Sequence, residues 1–415
     1  MKPPPLSKTI VDLFQSRVKD GYYQSPLGRL RVEYSSDPRR IAEYARTRFT
    51  RSRLVRTMIA EFHLSRNSLV VSEDDHVRWL KPLFLPHLPM DGTTPTMARA
   101  ILTAALPTPA PGSGPVTVNV SDELIRETYR AMLDKVLKID PLPPLDDYIR
   151  KTRFRHATRP MVLEGLMYSL NLHRLLLRPL LYALEWLFFR RTRYMQRISQ
   201  KLEKLIAVQA VPREGSWLST LLDLRNQGKL TQAQVNGEVT SMLVASFSLS
   251  SALGSALLCL AARPQYQRQI HDDPDFARCF VMEVLRLYPP FRQFGYEQVS
   301  DGKDSKCPVG ASGEFVISTY ALHRKADHWD MPRKFMPERF LDPDAAKGFR
   351  YLPFGMGKRL CPGRWFSLSL LEEAVKYICS DDSHIILCRR DRLPTGHRGC
   401  LVSFAVDDSL TYRAR

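Results

Sequence analysis

One cysteine of this chain lies among glycines in a segment suited to an anionic sulfur ligand. Residues 354–363 read Phe-Gly-Met-Gly-Lys-Arg-Leu-Cys-Pro-Gly, with the cysteine at position 361. Pro362 is favoured at the first position of a helix, so a helix should begin just after Cys361. Free backbone N–H groups and the positive end of the helix dipole would favour thiolate over thiol. The segment therefore predicts a metal-binding or reactive sulfur.

The residues around this cysteine also suggest a flat bound group. The glycines allow tight turns and a close backbone approach, and Arg359 adds a cation suited to a carboxylate. A buried structural cysteine in a glycine-rich turn is the alternative. Nucleotide-binding loops do not fit, because Gly355-x-Gly357 is not continued as G-x-G-x-x-G and no Ser or Thr follows Lys358.

The segment resembles the haem-binding signature F-x-x-G-x-R-x-C-x-G of cytochromes P450. All defined positions match, at Phe354, Gly357, Arg359, Cys361 and Gly363. The resemblance implies haem b ligated by the sulfur of Cys361, with Arg359 beside a haem propionate. Thiolate ligation pushes electron density onto the iron and makes haem an oxidant of C–H bonds. The similarity is most specific from residue 280 to residue 372.

A charged triad upstream extends the resemblance. The family pairs a Glu-x-x-Arg on one helix with a later arginine, and Glu283, Arg286 and Arg339 match these positions. Glu and Arg three residues apart lie on one helical face and can pair. By itself such spacing is more typical of a solvated surface pair. We read His323 and His328 as structural, because their spacing does not suit a metal site on a helix.

Residues 231–263 predict one long helix. Thr231-Gln-Ala-Gln234 fits a capping box, and Pro264 ends the pattern. Met242–Ala262 is uncharged over a length that could cross a bilayer. Its five serines and the lack of a flanking Lys/Arg bias favour a buried central helix instead. The resemblance implies that this helix crosses the distal face of the haem.

The long helix departs from the family pattern at its catalytic positions. Relatives carry an acid and an alcohol there, which deliver protons during oxygen activation. Alignment places Ser248 at the acid position and Leu249 at the alcohol position, with Ser250 one residue further on. A helix turns by about 100° per residue, so Ser250 needs a local distortion or a water to serve. Ser248 and Ser250 are the predicted catalytic residues.

The propionate-binding positions also depart from the family. Tyr296 lies where many members carry an arginine, and Leu80 occupies a second arginine position. The resemblance assigns propionate contacts to the Asp75-His-Val-Arg-Trp79 region, so His76 and Arg78 are the predicted substitutes, with Lys81 and Arg292 as further cations.

The patterns predict a mainly α protein with a small β portion and a single domain over residues 1–415. Residues 1–25 should be an extended N-terminal segment, and 354–379 the cysteine loop with its helix. Residues 161–190 favour helices over the substrate cavity, or else a membrane-surface patch. Strands are predicted at Leu30–Tyr34 and, as a final pair, at His384–Cys388 and Cys400–Val406.

The amino-acid composition limits which cellular compartment and which binding partners are expected. The net charge is +18, but no nucleic-acid-binding signature accompanies it. The seven cysteines lack C-x-x-C spacing, which disfavours a zinc site and a disulfide framework and favours a reducing compartment. Met-Lys-Pro-Pro-Pro at the start has no apolar core, so we expect a cytoplasmic protein without a transmembrane anchor.

These features predict a soluble, bacterial-type P450 monooxygenase that oxidises an apolar small molecule in specialised metabolism. Electrons would come from a ferredoxin or flavodoxin and its reductase, docking near Lys358 and Arg364, and we expect a monomer. An enzyme that uses peroxide or rearranges its substrate is the alternative, because the acid–alcohol pair is lost. A non-catalytic haem binder is a third class, disfavoured by the complete cysteine signature.

Overall fold

A computed structural model of the chain describes residues 20–24, 31–52, 68, 72, 74–89, 92–139, 143–151, 200, 201, 204, 213–298, 313–394, 397–398, 402–405 and 407–415. The segment 161–190, predicted to cover the cavity, lies outside these residues, as does most of the segment 1–25.

Helices make up most of the described chain. They are α1 (Pro38–Ala45), α2 (Asp74–Phe84), α3 (Thr93–Ala105), α4 (Val120–Lys135), α5 (Pro143–Lys151), α6 (Trp217–Asn226), α7 (Gln232–Ala262), α8 (Pro264–Asp272), α9 (Phe276–Leu287), α10 (Thr319–Leu322) and α11 (Arg364–Cys379). The helix after the cysteine loop, α11, packs on α3 and on α9. Helix α9 carries the predicted Glu-x-x-Arg pair.

The strands form small sheets at the edges of the helical body. They are β1 (Gly21–Gln24), β2 (Arg31–Ser35), β3 (Phe49–Arg51), β4 (Val116–Asn119), β5 (Phe294–Gln298), β6 (Gly313–Ile317), β7 (Ile385–Leu387), β8 (His397–Arg398), β9 (Phe404–Ala405) and β10 (Ser409–Ala414). The largest sheet has the order β1-β2-β6-β5-β3, with β2 and β6 parallel. This sheet brings β3 and β5 beside the cysteine loop.

Helix α7 runs through the centre of the protein. Thr231 caps it, and its side chain and that of Gln234 exchange hydrogen bonds with each other's backbone N–H groups in a capping box. α7 packs on α4, and Gly254 faces it, since a Cβ there would lie in ordinary van der Waals contact, 3.6 Å from side-chain carbons of Leu124 and Val120. The helix is long and apolar enough to span a membrane, but 88% of its apolar window is buried inside the protein. That burial identifies it as a core helix.

The predicted mainly α fold with a small β portion is confirmed, with two differences in the strands. The two strands predicted as a final pair do not pair with each other. Instead β7 pairs with β10, and β9 pairs with β8. The sequence prediction missed β10, although Leu410 and Tyr412 alternate with exposed or half-buried residues as a one-sided strand should.

Candidate active site

The cysteine loop takes the tight path that its glycines allow. Gly355 and Gly357 have φ values of 76° and 61°, a region that side chains with a Cβ rarely adopt. A Cβ at Gly357 would also lie 2.6 Å from Cζ of Phe49 on β3. The N–H of Cys361 donates to the carbonyl of Phe354 over 3.0 Å, which closes the loop just before α11. Sterics therefore require glycine at position 357 for two independent reasons.

The sulfur of Cys361 is buried, and its surroundings shift the pKa of the thiol in opposite directions. Burial raises the pKa of the Cys361 thiol, and this effect is the largest. The backbone N–H of Gly363 and the charges of Lys81 and Arg51 act in the opposite direction. The backbone N–H and the nearby cations thus favour thiolate in the predicted direction, but burial outweighs them in the protein without a metal. Metal binding must itself displace the proton, as it does at other thiolate sites.

A cavity of about 260 Å³ opens over this sulfur. Cys361 and its neighbours Phe354, Arg359 and Gly363 line it, together with apolar residues of α7 and with Val77, Lys81 and Phe84 of α2. The remaining lining is mainly apolar, as expected of a small-molecule site. A flat apolar cofactor and an apolar ligand both suit such a space.

Cations gather where this cavity meets the cysteine loop. Arg51 on β3 lies opposite Tyr296 on β5 in the strand register, and both line the cavity. Burial and the nearby charge of Arg359 lower the pKa of Arg51 to about 10. Lys81 on α2 also lines the cavity, and its Nζ donates to the carbonyl of Leu360 over 2.6 Å. A cofactor with two carboxylates fits this cluster.

Arg359 and Tyr296 hold the loop as well as lining the cavity. Arg359 is 3% exposed at its side chain, and its Nη2 lies 2.7 Å from the Asp74 carboxylate. The same guanidinium donates to the carbonyl of Ser72 over 2.7 Å. The partner seen for Arg359 is thus an aspartate on α2, whereas the sequence suggested a propionate. The Tyr296 hydroxyl accepts the N–H of Met356, and burial raises the pKa of this tyrosine to about 12, so it stays protonated and can donate.

Helix α2 does not present His76 and Arg78 as predicted. Its cavity-facing residues are Val77, Lys81 and Phe84, spaced by four and three residues. Arg78 is one residue away from this stripe; its side chain is 63% exposed and lies 3.6 Å from Asp75. His76 is half-buried outside the cavity lining, and its Nε2 has no hydrogen-bond partner among the described residues. The propionate contact of Arg78 stays a prediction, whereas Arg51 and Lys81 join Arg359 as cations in the cavity lining.

Helix α7 presents one of its two predicted serines to the cavity. Ser248 and Leu249 line the wall, and the Ser248 hydroxyl donates to the carbonyl of Ala245 over 2.9 Å. Ser250 is fully buried, is not part of the lining, and its hydroxyl has no partner in the described part of the chain. Ser250 therefore lies outside the cavity lining, and its catalytic role stays a prediction. Sequence reasoning missed Glu238, which lies on the same cavity-facing side.

The triad of Glu283, Arg286 and Arg339 is a buried ion network. Glu283 and Arg286 are both fully buried, and their two bonds measure 2.6 and 2.8 Å. Arg339 approaches Glu283 at 3.3 Å, and the backbone N–H of Met336 donates to the same carboxylate over 2.7 Å. Arg286 also donates to the carbonyls of His323, Pro332 and Lys334. The network thereby fastens α9 to the segment that precedes the cysteine loop.

His323 connects this network to the loop. Its Nδ1 lies 3.1 Å from the carbonyl of Arg286, and its Nε2 accepts the N–H of Leu352 over 2.9 Å. These contacts require the neutral ring with its proton on Nδ1. Burial lowers the pKa of His323 to about 3, which keeps the ring neutral. Leu352 lies two residues before Phe354, so the predicted structural histidine holds the start of the cysteine loop.

Comparison with known proteins supports this interpretation of the site. The family model for cytochrome P450 matches residues 275–374, which include the triad helix and the cysteine loop. Cytochrome P450 84A4 of Arabidopsis thaliana is 36% identical over 125 residues, covering 29% of this chain and 23% of the relative. Cytochrome P450 76M5 of rice is 31% identical over 212 residues, covering 44% and 40%. Phenylacetaldehyde oxime monooxygenase of Prunus mume is 27% identical over 185 residues, covering 38% and 35%.

Each of these matches spans less than half of the relative's own length. Other matches come from an insect and from mammals, so the expectation of a soluble bacterial type has no support from these relatives. The range matched by the family model includes the cysteine loop with Phe354, Gly357, Arg359 and Cys361. Over residues 275–374 the chain therefore matches the cytochrome P450 family, and the relatives it resembles include cytochromes P450 and a monooxygenase.

Proposed function

We propose that this protein is a haem-thiolate monooxygenase acting on an apolar small molecule. The observation that carries the proposal is the position of Cys361 in an apolar cavity, with Arg51, Lys81 and Tyr296 at the same side. Members of the family hold haem through a cysteine thiolate, and Cys361 is the residue of this chain at that position. Bound there, haem supplies the activation of dioxygen for insertion of an oxygen atom into a C–H bond.

The protein's own residues would bind the haem propionates, hold the substrate and exclude water from the cavity. Arg51 and Lys81 would neutralise the propionates, and the protonated Tyr296 hydroxyl would donate a hydrogen bond to one of them. The apolar wall of α7, with Ala245, Leu249 and Ala252, would exclude water and hold an apolar substrate. Ser248 is the hydroxyl of this wall that could pass a proton or position a water.

The experiment compares the reduced carbonyl spectrum of the wild type with that of Cys361→His. We expect the red-shifted Soret band of thiolate ligation in the wild type and its loss in the variant, because imidazole is not an anionic donor. Turnover under isotopically labelled dioxygen should then place one labelled oxygen atom in the product. A normal thiolate band in the variant, or product without the label, would refute the proposal.

Peroxide use or a rearrangement remains a second candidate, favoured by the α7 wall. Leu249 stands on the cavity where relatives carry an alcohol, and the acid position is Ser248. Turnover with hydrogen peroxide that exceeds turnover with dioxygen and an electron donor would favour this candidate. Its product would carry no oxygen from dioxygen.

We further propose that an electron-donating protein, a ferredoxin or flavodoxin type, docks beside the cysteine loop. Lys358 is exposed there, and Arg364 stacks 4.2 Å over the ring of Trp365, which is 54% exposed. Reduction should slow as salt is added, and Lys358→Glu should slow it further. Lys347→Glu, at a 71% exposed lysine outside the cysteine loop, is the control. Salt-independent reduction would favour an apolar docking contact through Trp365 instead.

The cellular location and the oligomeric state of the protein are also proposals. Five of the seven cysteines are described, and all five are free thiols, which suits a reducing compartment such as the cytoplasm. We propose a catalytic domain on the cytoplasmic side, acting as a monomer in specialised metabolism. Cell fractionation tests the proposed location, and the molecular mass measured in solution tests whether the protein is a monomer.

A further inference from the structure

Helix α2 holds the cysteine loop through two side chains of opposite charge. Asp74, at the start of the helix, accepts from the guanidinium of Arg359, with the closest atoms 2.7 Å apart. Lys81 follows seven residues later, about two turns along the same helical face. Its ammonium donates to the carbonyl of Leu360 over 2.6 Å and to that of Lys358 over 3.3 Å. Three consecutive loop residues just before the cysteine are therefore held by one helix.

The ammonium group of Lys81 lies close to the sulfur of Cys361. Leu360 directly precedes the cysteine, so a short run of covalent bonds joins its carbonyl oxygen to the sulfur. Together with the hydrogen bond to that oxygen, these bond lengths limit the distance between the Lys81 nitrogen and the sulfur to about 10 Å. Burial has the largest effect on the pKa of the Cys361 thiol and raises it, whereas the charge of Lys81 lowers it. The positive charge of Lys81 thus acts on the sulfur.

A positive charge at this distance affects how a thiolate binds iron. Groups around a metal ligand tune its donor strength, and hydrogen bonds and burial around it set the reduction potential. A cation beside the sulfur withdraws electron density from it, so less density reaches the iron. Reduction adds one negative charge to the site, and the same cation stabilises the reduced state. Unit charges about 10 Å apart, at an effective dielectric constant of about 20, change an equilibrium constant by roughly tenfold.

We propose that Lys81 is a positioning residue for the thiolate ligand, which fixes the loop carbonyls before Cys361 and weakens electron donation from the sulfur to the iron. The inference rests on the proposed function, since it concerns the iron ligand of the same site. Two of the three donors of the ammonium group go to the loop, so one remains for a haem propionate. The effect on the sulfur is separate from a propionate contact, because only the former changes the bond between sulfur and iron.

The experiment removes the charge with Lys81→Met in the haem-loaded protein. Lys81 is half-buried, so solvent screens part of the interaction, and we expect the reduction equilibrium to shift toward the oxidised state by about threefold to tenfold, roughly 30–60 mV for one electron. The iron–sulfur stretching frequency should rise and the C–O stretching frequency of the reduced carbonyl complex should fall, because the sulfur donates more strongly. Lys81→Arg keeps the charge and should stay within about twofold of the wild-type equilibrium. Lys347→Met, at an exposed lysine outside the cysteine loop, is the control and should change neither frequency.

A lower potential with both frequencies unchanged would show that Lys81 acts on the propionates alone, and it would overturn the proposal. An unchanged potential, or a Lys81→Arg variant that behaves like Lys81→Met, would overturn it as well. If Lys81→Met retains no haem, Lys81→Gln takes its place, because a neutral amide can still donate to a loop carbonyl. Loss of haem from both neutral variants would assign Lys81 a structural role only. A missing thiolate band in the wild-type reduced carbonyl spectrum would instead refute the proposed function.

Discussion

Replacing Glu283 with alanine should show that the triad holds the cysteine loop. The carboxylate is fully buried and accepts from Arg286, from Arg339 and from the N–H of Met336. Its removal leaves Arg286 fully buried without its counter-charge, although three carbonyls still accept from it. Breaking a buried ion pair in this way costs about 3–5 kcal/mol. The Met336 N–H loses its acceptor as well, at about 1–3 kcal/mol.

The assay has two readouts, chemical unfolding and haem content after expression. A loss of this size is a large part of the roughly 5–15 kcal/mol that stabilises a typical domain. We therefore expect little haem-loaded protein from Glu283→Ala and a clearly lower unfolding midpoint. Glu373→Ala is the control, because Glu373 and Lys376 form the same i,i+3 pair on α11 with side chains 26% and 31% exposed.

The control should cost less than about 1 kcal/mol, as exposed pairs do. Full haem incorporation and an unchanged midpoint in Glu283→Ala would refute the view that the buried network supports the loop. If Glu283→Ala and Glu373→Ala lost the same stability, the burial of the Glu283 pair would not be what makes it more important than the exposed pair.

Three further variants test the loop and the wall of the cavity. Since the folded pKa of His323 is about 3, against 6.5 in the unfolded chain, stability is full above about pH 6.5 and falls as the pH drops toward 3. Acid titration of unfolding should show His323→Asn less stable at neutral pH but with a flatter slope in that window; an unchanged slope would contradict the neutral buried ring. Gly357→Ala should abolish haem retention, because its Cβ meets Phe49 at 2.6 Å and its φ is 61°; normal retention would show that the loop can relax. Leu249→Thr should raise the rate of product formation, by up to about 10²–10⁴-fold if the alcohol alone limits proton delivery, and with it the fraction of electrons that reaches product; unchanged coupling would show that another group already serves.

Short-range patterns in the sequence were sufficient to predict the fold class and the cysteine loop. The capping box at Thr231, the proline after α7 and the spacing of Glu283 and Arg286 each act within a few residues. Their structural consequences could therefore be predicted from the chain itself. The apolar run of α7 was also interpretable, because Ser246 and Ser248 donate to carbonyls of the same helix and most of its apolar window is buried by other elements.

Contacts between distant segments could not be predicted in the same way. Arg51 belongs to a strand of three residues, too short and too basic to be recognised, yet sheet pairing sets it opposite Tyr296. Asp74 pairs with Arg359 across most of the chain length. His76 and Arg78 were chosen by analogy, whereas the helical phase of α2 directs Lys81 to the cavity. In each case the role of the residue depends on how distant segments pack together, which the local sequence does not encode.

The charge pattern of the cavity explains how the chain can tolerate its departures from the family. The arginines lost at positions 80 and 296 need not weaken cofactor binding, because Arg51 and Lys81 bring two cations to the same end of the cavity. Burial and the charge of Arg359 lower the pKa of Arg51, and the same two causes lower the pKa of Lys81, so these cations are destabilised until an anion arrives. A bound dianion would relieve that repulsion and also raise the pKa of Arg51. Haem loading should therefore stabilise the wild type more than Arg51→Leu, measured as the rise in unfolding midpoint on adding haem. An equal rise in the two proteins would show that Arg51 does not contact the cofactor.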